Sequence, residues 1–204
     1  AATLCPMRIR QLGSTGLKVT EICLGTMTFG NQCDEKTSFD IMDVADAHGV
    51  NFFDTADAYP LGKNWESAGG TEIIIGNWLL ERKARERIVL ATKCRGATGP
   101  TANDEGLSRK HIIAACEASL RRLQTDYIDL YQAHAPDNSV QIEESLRAFD
   151  DLVRSGKVRY IGCSNYPECS FTRQLGEEGN GEGGGGEDGT KVLGKDPYTA
   201  EEIT

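Results

Sequence analysis

The sequence has 204 residues, 39% of them hydrophobic and 26% charged, the balance of one folded domain with its own core. Its formal charge is −9, but the 29 residues from 176 onward carry eight acids and two lysines, a net −6, which leaves −3 on the first 175. These figures exclude a basic footprint for nucleic acid, and no apolar run approaches the roughly 20 residues that cross a bilayer, so no membrane insertion is expected.

No secretory apolar segment stands at the start, and the chain begins at Ala1 rather than Met, as one with an upstream segment would. "VTEICLGTMTFG" (19–30) reads as a short apolar strand ending at Gly25-Thr26. "TSFDIMDVADAHG" (37–49) has helical periodicity through Phe39, Met42 and Ala45, and Gly49 stands where a C-terminal cap is expected. "VNFFDTADAY" follows as a second strand that turns polar at Asp54, Asp57 and Tyr59. "GTEIIIGNWLLERKARER" (70–87) predicts a second helix, capped by Thr71 and with its basic residues in the last turns.

"IVLATKC" (88–94) predicts a third strand. Ser108 opens a third helix with Ile112, Cys116, Leu120 and Leu123 on one side. "DYIDLYQAH" (126–134) is a fourth strand. "IEESLRAFDDLVRSG" (142–156) is a helix with a stripe of Ile142, Leu146, Phe149 and Val153, ended by Gly156. "VRYIGCSNY" (158–166) is a fifth strand. Strand and helix alternate throughout, and the strands are continuous apolar runs, the mark of an α/β fold with a parallel sheet covered by helices.

The candidates are a (β/α)-barrel and an open doubly wound sheet. Each apolar run ends in an unusual polar residue: Asp54 and Tyr59, Lys93, His134, then Ser164-Asn165. A site fed by successive strands in sequence order favours the barrel over a site at one switch point. Residues 176–189, "GEEGNGEGGGGEDG", are eight Gly, five acids and one Asn. With no apolar face to offset the entropy of ordering, the segment from 176 to 204 is expected to be a disordered tail that packs against nothing. Gly179, Gly181 and Gly184 match G-x-G-x-x-G, but no strand leads in and no helix follows, so the dinucleotide reading is rejected.

The seven cysteines include no Cys-x-x-Cys pair. Cys23, Cys94 and Cys163 lie in apolar strand-like runs. The expectation is buried thiols in a reducing, cytoplasmic setting rather than disulfides or a metal site.

If the second, third and fourth strands are neighbours, their ends bring Asp54, Tyr59, Lys93 and His134 to one spot. An ammonium near a phenol stabilises the phenolate and lowers its pKa from about 10. A carboxylate pairs that ammonium, and a histidine can orient a carbonyl oxygen. Together the four make a proton donor aimed at a carbonyl. Taken singly each is ordinary: Asp57 reads as a solvated loop residue or cap, and His48 and His111 as structural histidines on helices.

"LGTMTFG", "FFDTADAYP", "ATK", "RLQTDYIDLYQAH" and "GKVRYIGCSN" resemble the aldo-keto reductase family, and "GTMTFG", "IGNWL" and "RLQTDYIDLYQ" its Tas-like branch near the potassium-channel β-subunit-like members. The match runs from about Met7 to Tyr166. The resemblance implies a (β/α)8 TIM-barrel fold, NADPH/NADP as cofactor and a small-molecule carbonyl substrate. It implies Tyr59 as general acid, Lys93 lowering its pKa, Asp54 pairing Lys93, and His134 orienting the carbonyl. Ser164 and Asn165 align with the pair that holds the nicotinamide carboxamide, and Thr26 and Met27 with residues beside cofactor and substrate, near Asp54.

Only about five βα units are readable. The implied sixth strand with its Gln, and the seventh and eighth with the phosphate-gripping loops, are not. The expectation is therefore a C-terminally truncated domain over residues 7–175 followed by a tail over 176–204, inactive through truncation if the missing loops are essential. Its exposed barrel edges would invite self-association. Two other readings stand beside the reductase: a Schiff-base aldolase using Lys93, and a non-catalytic regulatory or interaction fragment.

Overall fold

The structure is a computed structural model that describes residues 7–61, 64–166 and 191–193. The chain opens with an antiparallel hairpin, β1 (Ile9–Gln11) and β2 (Lys18–Thr20), with Ile9 opposite Thr20. Strand and helix then alternate: β3 (Cys23–Gly25), α1 (Glu35–Ala47), β4 (Phe52–Asp54), α2 (Gly70–Glu81), β5 (Val89–Cys94), α3 (Arg109–Leu123), β6 (Ile128–Ala133), α4 (Ile142–Arg154) and β7 (Val158–Cys163). A last short strand, β8 (Lys191–Leu193), follows.

The sheet order is β3-β4-β5-β6-β7-β8. The first five strands are parallel and adjacent in chain order. No strand crosses back to the far side of an earlier one, as a doubly wound sheet requires, so the order is that of five consecutive barrel units. Of these, β4, β5, β6 and β7 read as apolar runs because most of their residues are covered. On the helix side, Phe53, Leu90 and Ile75 pack with Trp78 and Met42 under α1 and α2, while Tyr131, Ile128 and Phe149 pack with Ile112 and Cys116 under α3 and α4.

The other face is layered by the two-residue period of a strand. Phe52, Ala91 and Leu130 form an apolar layer that receives Val19 from the hairpin. One step further along the same strands stand Asp54, Lys93 and Gln132. The hairpin therefore closes the bottom of the inner face, and the polar residues collect above it, at the C-terminal ends of the strands.

Local chemistry explains the helix starts. Asp34 caps α1 by accepting from the Thr37 N–H at 2.7 Å, and Ser108 caps α3 by accepting from the His111 N–H at 3.3 Å. Gly49 and Gly156 follow α1 and α4 with φ of 78° and 77°, a left-handed turn that glycine enters without a Cβ penalty.

Four expectations are corrected. The apolar run that ends at Gly25-Thr26 is not one strand: Val19 and Thr20 belong to the hairpin and only 23–25 to the parallel sheet. The second helix stops at Glu81 rather than 87, and Thr71 does not cap it. Gly69 occupies the cap position, and the Thr71 hydroxyl donates instead to the Phe29 carbonyl at 2.7 Å. Of the three strand cysteines, Cys94 and Cys163 are buried, but Cys23 is exposed because β3 is an edge strand. Finally, Lys191–Leu193, expected to pack against nothing, pair antiparallel with β7, because an edge strand's unpaired N–H and C=O groups accept a further strand. The rest of the Gly/acid tail lies outside the described residues.

Candidate active site

The end of each parallel strand is carried past the sheet by the ladder itself. The N–H groups of Thr26, Thr55, Asp57, His134 and Ser164 donate to the carbonyls of Asp54, Ala91, Lys93, Cys94 and Ala133 on neighbouring strands, at 2.9–3.1 Å. The residues singled out in the sequence are thereby held on one rim.

Asp54, on β4, is ion-paired with Lys93 on β5. Lys93 is 5% exposed, and its ammonium donates also to the Thr55 carbonyl at 2.9 Å. It sits 5.4 Å from the centre of the Tyr59 ring, over its face, close enough for a cation–π attraction. The His134 ring meets Tyr59 edge-on, centres 5.6 Å apart at 77°. The structure thus brings Asp54, Tyr59, Lys93 and His134 together.

The electrostatics differ in one respect from expectation. The Tyr59 hydroxyl is pushed up to about 12, by burial first and then by the Asp54 and Asp57 carboxylates. Lys93 spends its charge on Asp54 and the Thr55 carbonyl rather than on the phenol. His134 is lowered to about 4, by burial first and then by Lys93 and Arg95, so its imidazole is neutral at pH 7.

Thr26 is 1% exposed, and its hydroxyl donates to the Asp54 carbonyl at 2.8 Å; it braces β4 from behind. Met27 is 49% exposed at the rim. Asn165 adopts a φ of 60°, and its amide nitrogen donates to the His134 carbonyl and the Ser164 hydroxyl, each at 2.9 Å. This left-handed step, which asparagine tolerates better than most residues, turns a carboxamide and a hydroxyl outward together beside His134.

The sequence reading passed over one buried polar residue of the rim and misplaced another. Gln132 is 1% exposed and donates from Nε2 to Asp54 Oδ1 at 3.2 Å, so that Lys93 and Gln132 grip the carboxylate from two sides. Its signal was present: it stands two residues before His134 in an apolar strand, on the same face. Asp57, read as a solvated loop residue, is fully buried, and neither of its carboxylate oxygens has a well-formed hydrogen bond among the described residues. Burial, and then the neighbouring Glu72, push its carboxyl well up, against the opposing charges of Arg122 and Lys93. Glu72 is itself fully buried but satisfied, accepting from Arg122 Nε and from the Thr92 hydroxyl at 2.7 Å each. His111 and His48 take no part in the site. His111 is buried with Nε2 unpartnered among the described residues, and His48 Nδ1 lies 2.7 Å from the Val44 carbonyl.

Comparison with known proteins gives a match to the aldo/keto reductase family model over residues 21–178. An uncharacterized oxidoreductase, YrpG of Bacillus subtilis, is 50% identical over 167 residues, which cover 78% of this chain and 50% of YrpG. Protein tas of Escherichia coli is 37% identical over 193 residues, covering 83% and 55%. A probable voltage-gated potassium channel subunit beta of Arabidopsis thaliana is 40% identical over 171 residues, covering 83% and 50%. The chain spans about half the length of the curated relatives it matches.

Proposed function

The chain belongs to the aldo/keto reductase family, and from that premise we propose that its site is built for NADPH-dependent reduction of a small aldehyde or ketone to the alcohol. The observation that carries the reading is the Asp54–Lys93 ion pair set against a buried Tyr59 and an edge-on, neutral His134.

Ser164 and Asn165 fit the carboxamide of a nicotinamide, because their paired hydroxyl and amide offer complementary hydrogen-bonding groups at the rim. When bound, the dinucleotide supplies the hydride, and the protein supplies the proton. Tyr59, held protonated at neutral pH, donates to the oxygen as it gains alkoxide character, a far stronger base than a phenolate. His134, neutral and adjacent, orients that oxygen. Lys93 keeps positive charge beside the phenolate that Tyr59 leaves behind, and Asp54, gripped by Gln132, keeps Lys93 in place. Thr26 fixes the Asp54 backbone, and Met27 gives the rim an apolar surface for substrate. The buried thiols Cys94 and Cys116 favour a cytoplasmic location, and among the described residues no helix is long and apolar enough to cross a membrane.

The dinucleotide's phosphates are another matter. Among the described strand-end residues the only cations are Lys93 and Arg95, and Arg95 already donates to the Pro136 carbonyl at 2.9 Å. The reading is therefore of a reductase's acid machinery whose cofactor grip comes from chain beyond these residues. The aldolase alternative fares worse, since Lys93 is engaged as an ion-paired ammonium rather than presented as a free amine nucleophile. The test is a chain completed with the C-terminal half of YrpG and assayed with NADPH and a small aldehyde. NADPH oxidation matched by alcohol formation supports the reading. Absence of turnover with cofactor bound refutes it.

A further inference from the structure

We infer that Arg95 is a substrate-binding residue of this site, and that the carbonyl compound it selects carries a carboxylate. The choice of a carbonyl compound rests on the reductase reading; the anion subsite rests on geometry of its own.

Arg95 follows β5 directly, one strand period past Lys93. Its backbone has a φ of 147°, a region that a Cβ closes to most residues. Strain of this kind persists only where the surroundings over-determine it, and it clusters at ligand clamps and active sites. Here the Arg95 carbonyl accepts from the Gly106 N–H at 2.9 Å, and Nε donates to the Pro136 carbonyl at 2.9 Å. On the other side, a Cβ on Gly96 would lie 2.5 Å from the Ala58 Cβ. Arg95 is thus fixed between the loop that carries Tyr59 and the loop that follows His134, and its charge helps to keep His134 neutral.

The side chain held in this way is exposed, and its Nη1 and Nη2 have no partner among the described residues. Asp137 lies near enough to feel the guanidinium charge, but its carboxylate is already occupied. It accepts from the Leu107 N–H at 2.7 Å, the Ser139 N–H at 3.0 Å and the Ser139 hydroxyl at 2.6 Å. Lys93 is neutralised by Asp54. Arg95 therefore leaves a positive charge and an open guanidinium edge beside the residues that would handle the carbonyl. A planar fork with one open edge matches the paired oxygens of a carboxylate. A phosphate dianion calls for a second cation, and the described strand ends have none to spare. An aldehyde or ketone with a carboxylate a few carbons from its carbonyl meets both halves of the site.

The completed chain, assayed with 4-oxobutanoate and with uncharged butanal, tests this. Arg95→Gln should lower the preference for 4-oxobutanoate, read as the ratio of the two kcat/KM values, by about 10–100-fold, with the loss in KM. Arg95→Lys keeps the charge without the fork and should fall between. Arg95→Gly, at ease with the positive φ, serves if the Gln variant does not fold. An unchanged ratio overturns the proposal, and so does a loss explained by a raised KM for NADPH. If the completed chain reduces neither compound, the reductase reading fails and binding to the unaltered chain judges the subsite alone. Nuclear magnetic resonance shifts at the Arg95 Nε–H and the Gly96 amide should saturate with millimolar 4-oxobutanoate and not with butanal. Absence of saturable shifts overturns the subsite.

Discussion

Asp57 and Tyr59 stand two residues apart, and burial raises the pKa of both. For Tyr59 this keeps the hydroxyl protonated at neutral pH, as the proposed donor role requires. In the completed chain Tyr59→Phe should leave NADPH affinity nearly unchanged and slow aldehyde reduction about 10²–10⁴-fold; a near-normal rate would remove Tyr59 from its role. For Asp57 the consequence is one of stability. A carboxyl whose folded pKa is raised contributes stability that is complete below its unfolded value of about 3.9 and is lost as pH rises through the folded value. His134 acts with the opposite sign: lowered to about 4, it contributes stability present above about 6.5 and lost as pH falls toward 4. Asp57→Asn keeps the shape without the ionisable group. Urea midpoints from pH 4 to 8 should therefore show the variant gaining on the unaltered chain steadily as pH rises. Parallel curves would mean that Asp57 is ionised in the folded state.

At the scale of elements, α2 and α3 meet with no spare room. A Cβ on Gly76 would lie 2.2 Å from the Arg122 carbonyl and 3.0 Å from the Leu123 Cα, backbone atoms that cannot swing aside. Gly76→Ala should destabilise the chain by about 2 kcal/mol despite alanine's better helix propensity, measured as a fall in urea midpoint; a gain in stability would show that the helices separate freely. The same seam shows what local sequence could and could not reveal. The apolar stripe of α3 and its Ser108 cap were legible because both are set within one turn of the chain. The end of α2 was not. "ERKARER" is helix-friendly locally, but Arg82 turns back to the Asp43 carboxylate. Arg85 reaches the Thr125 hydroxyl, the Tyr127 carbonyl and Asp129, stacking 3.8 Å over the Tyr127 ring. Those partners lie about forty residues away, and together they outweigh propensity. The four strand-end residues of the site were legible because a polar side chain after an apolar run is conspicuous. The burial of Asp57 was not, because it depends on α2 and α3 stacking behind it. The hairpin was missed because three-residue strands carry too little pattern to read.

At the scale of the molecule, the described residues hold a polar strand-end rim without a matching set of cations for a dinucleotide's phosphates. Titration of the chain as given by NADPH fluorescence should show no saturation at micromolar cofactor; a dissociation constant in the low micromolar range would mean that other residues or a partner complete the grip. The β3 edge, with exposed Ile22 beside it, should make the chain associate as concentration rises. Sedimentation together with calorimetry should show concentration-dependent mass and a broadened thermal transition. A clean monomer with a sharp two-state transition would rule this out.

The ladder bonds that carry Thr26, Thr55, Asp57, His134 and Ser164 past the sheet belong to the main chain. They place those positions whatever side chains occupy them. An ancestor could therefore exchange the chemistry at a strand end one residue at a time, without having to reinvent the scaffold that aims it. A lineage that loses activity by such a change keeps the address of the site, and a later single substitution can restore the old reaction or begin a different one.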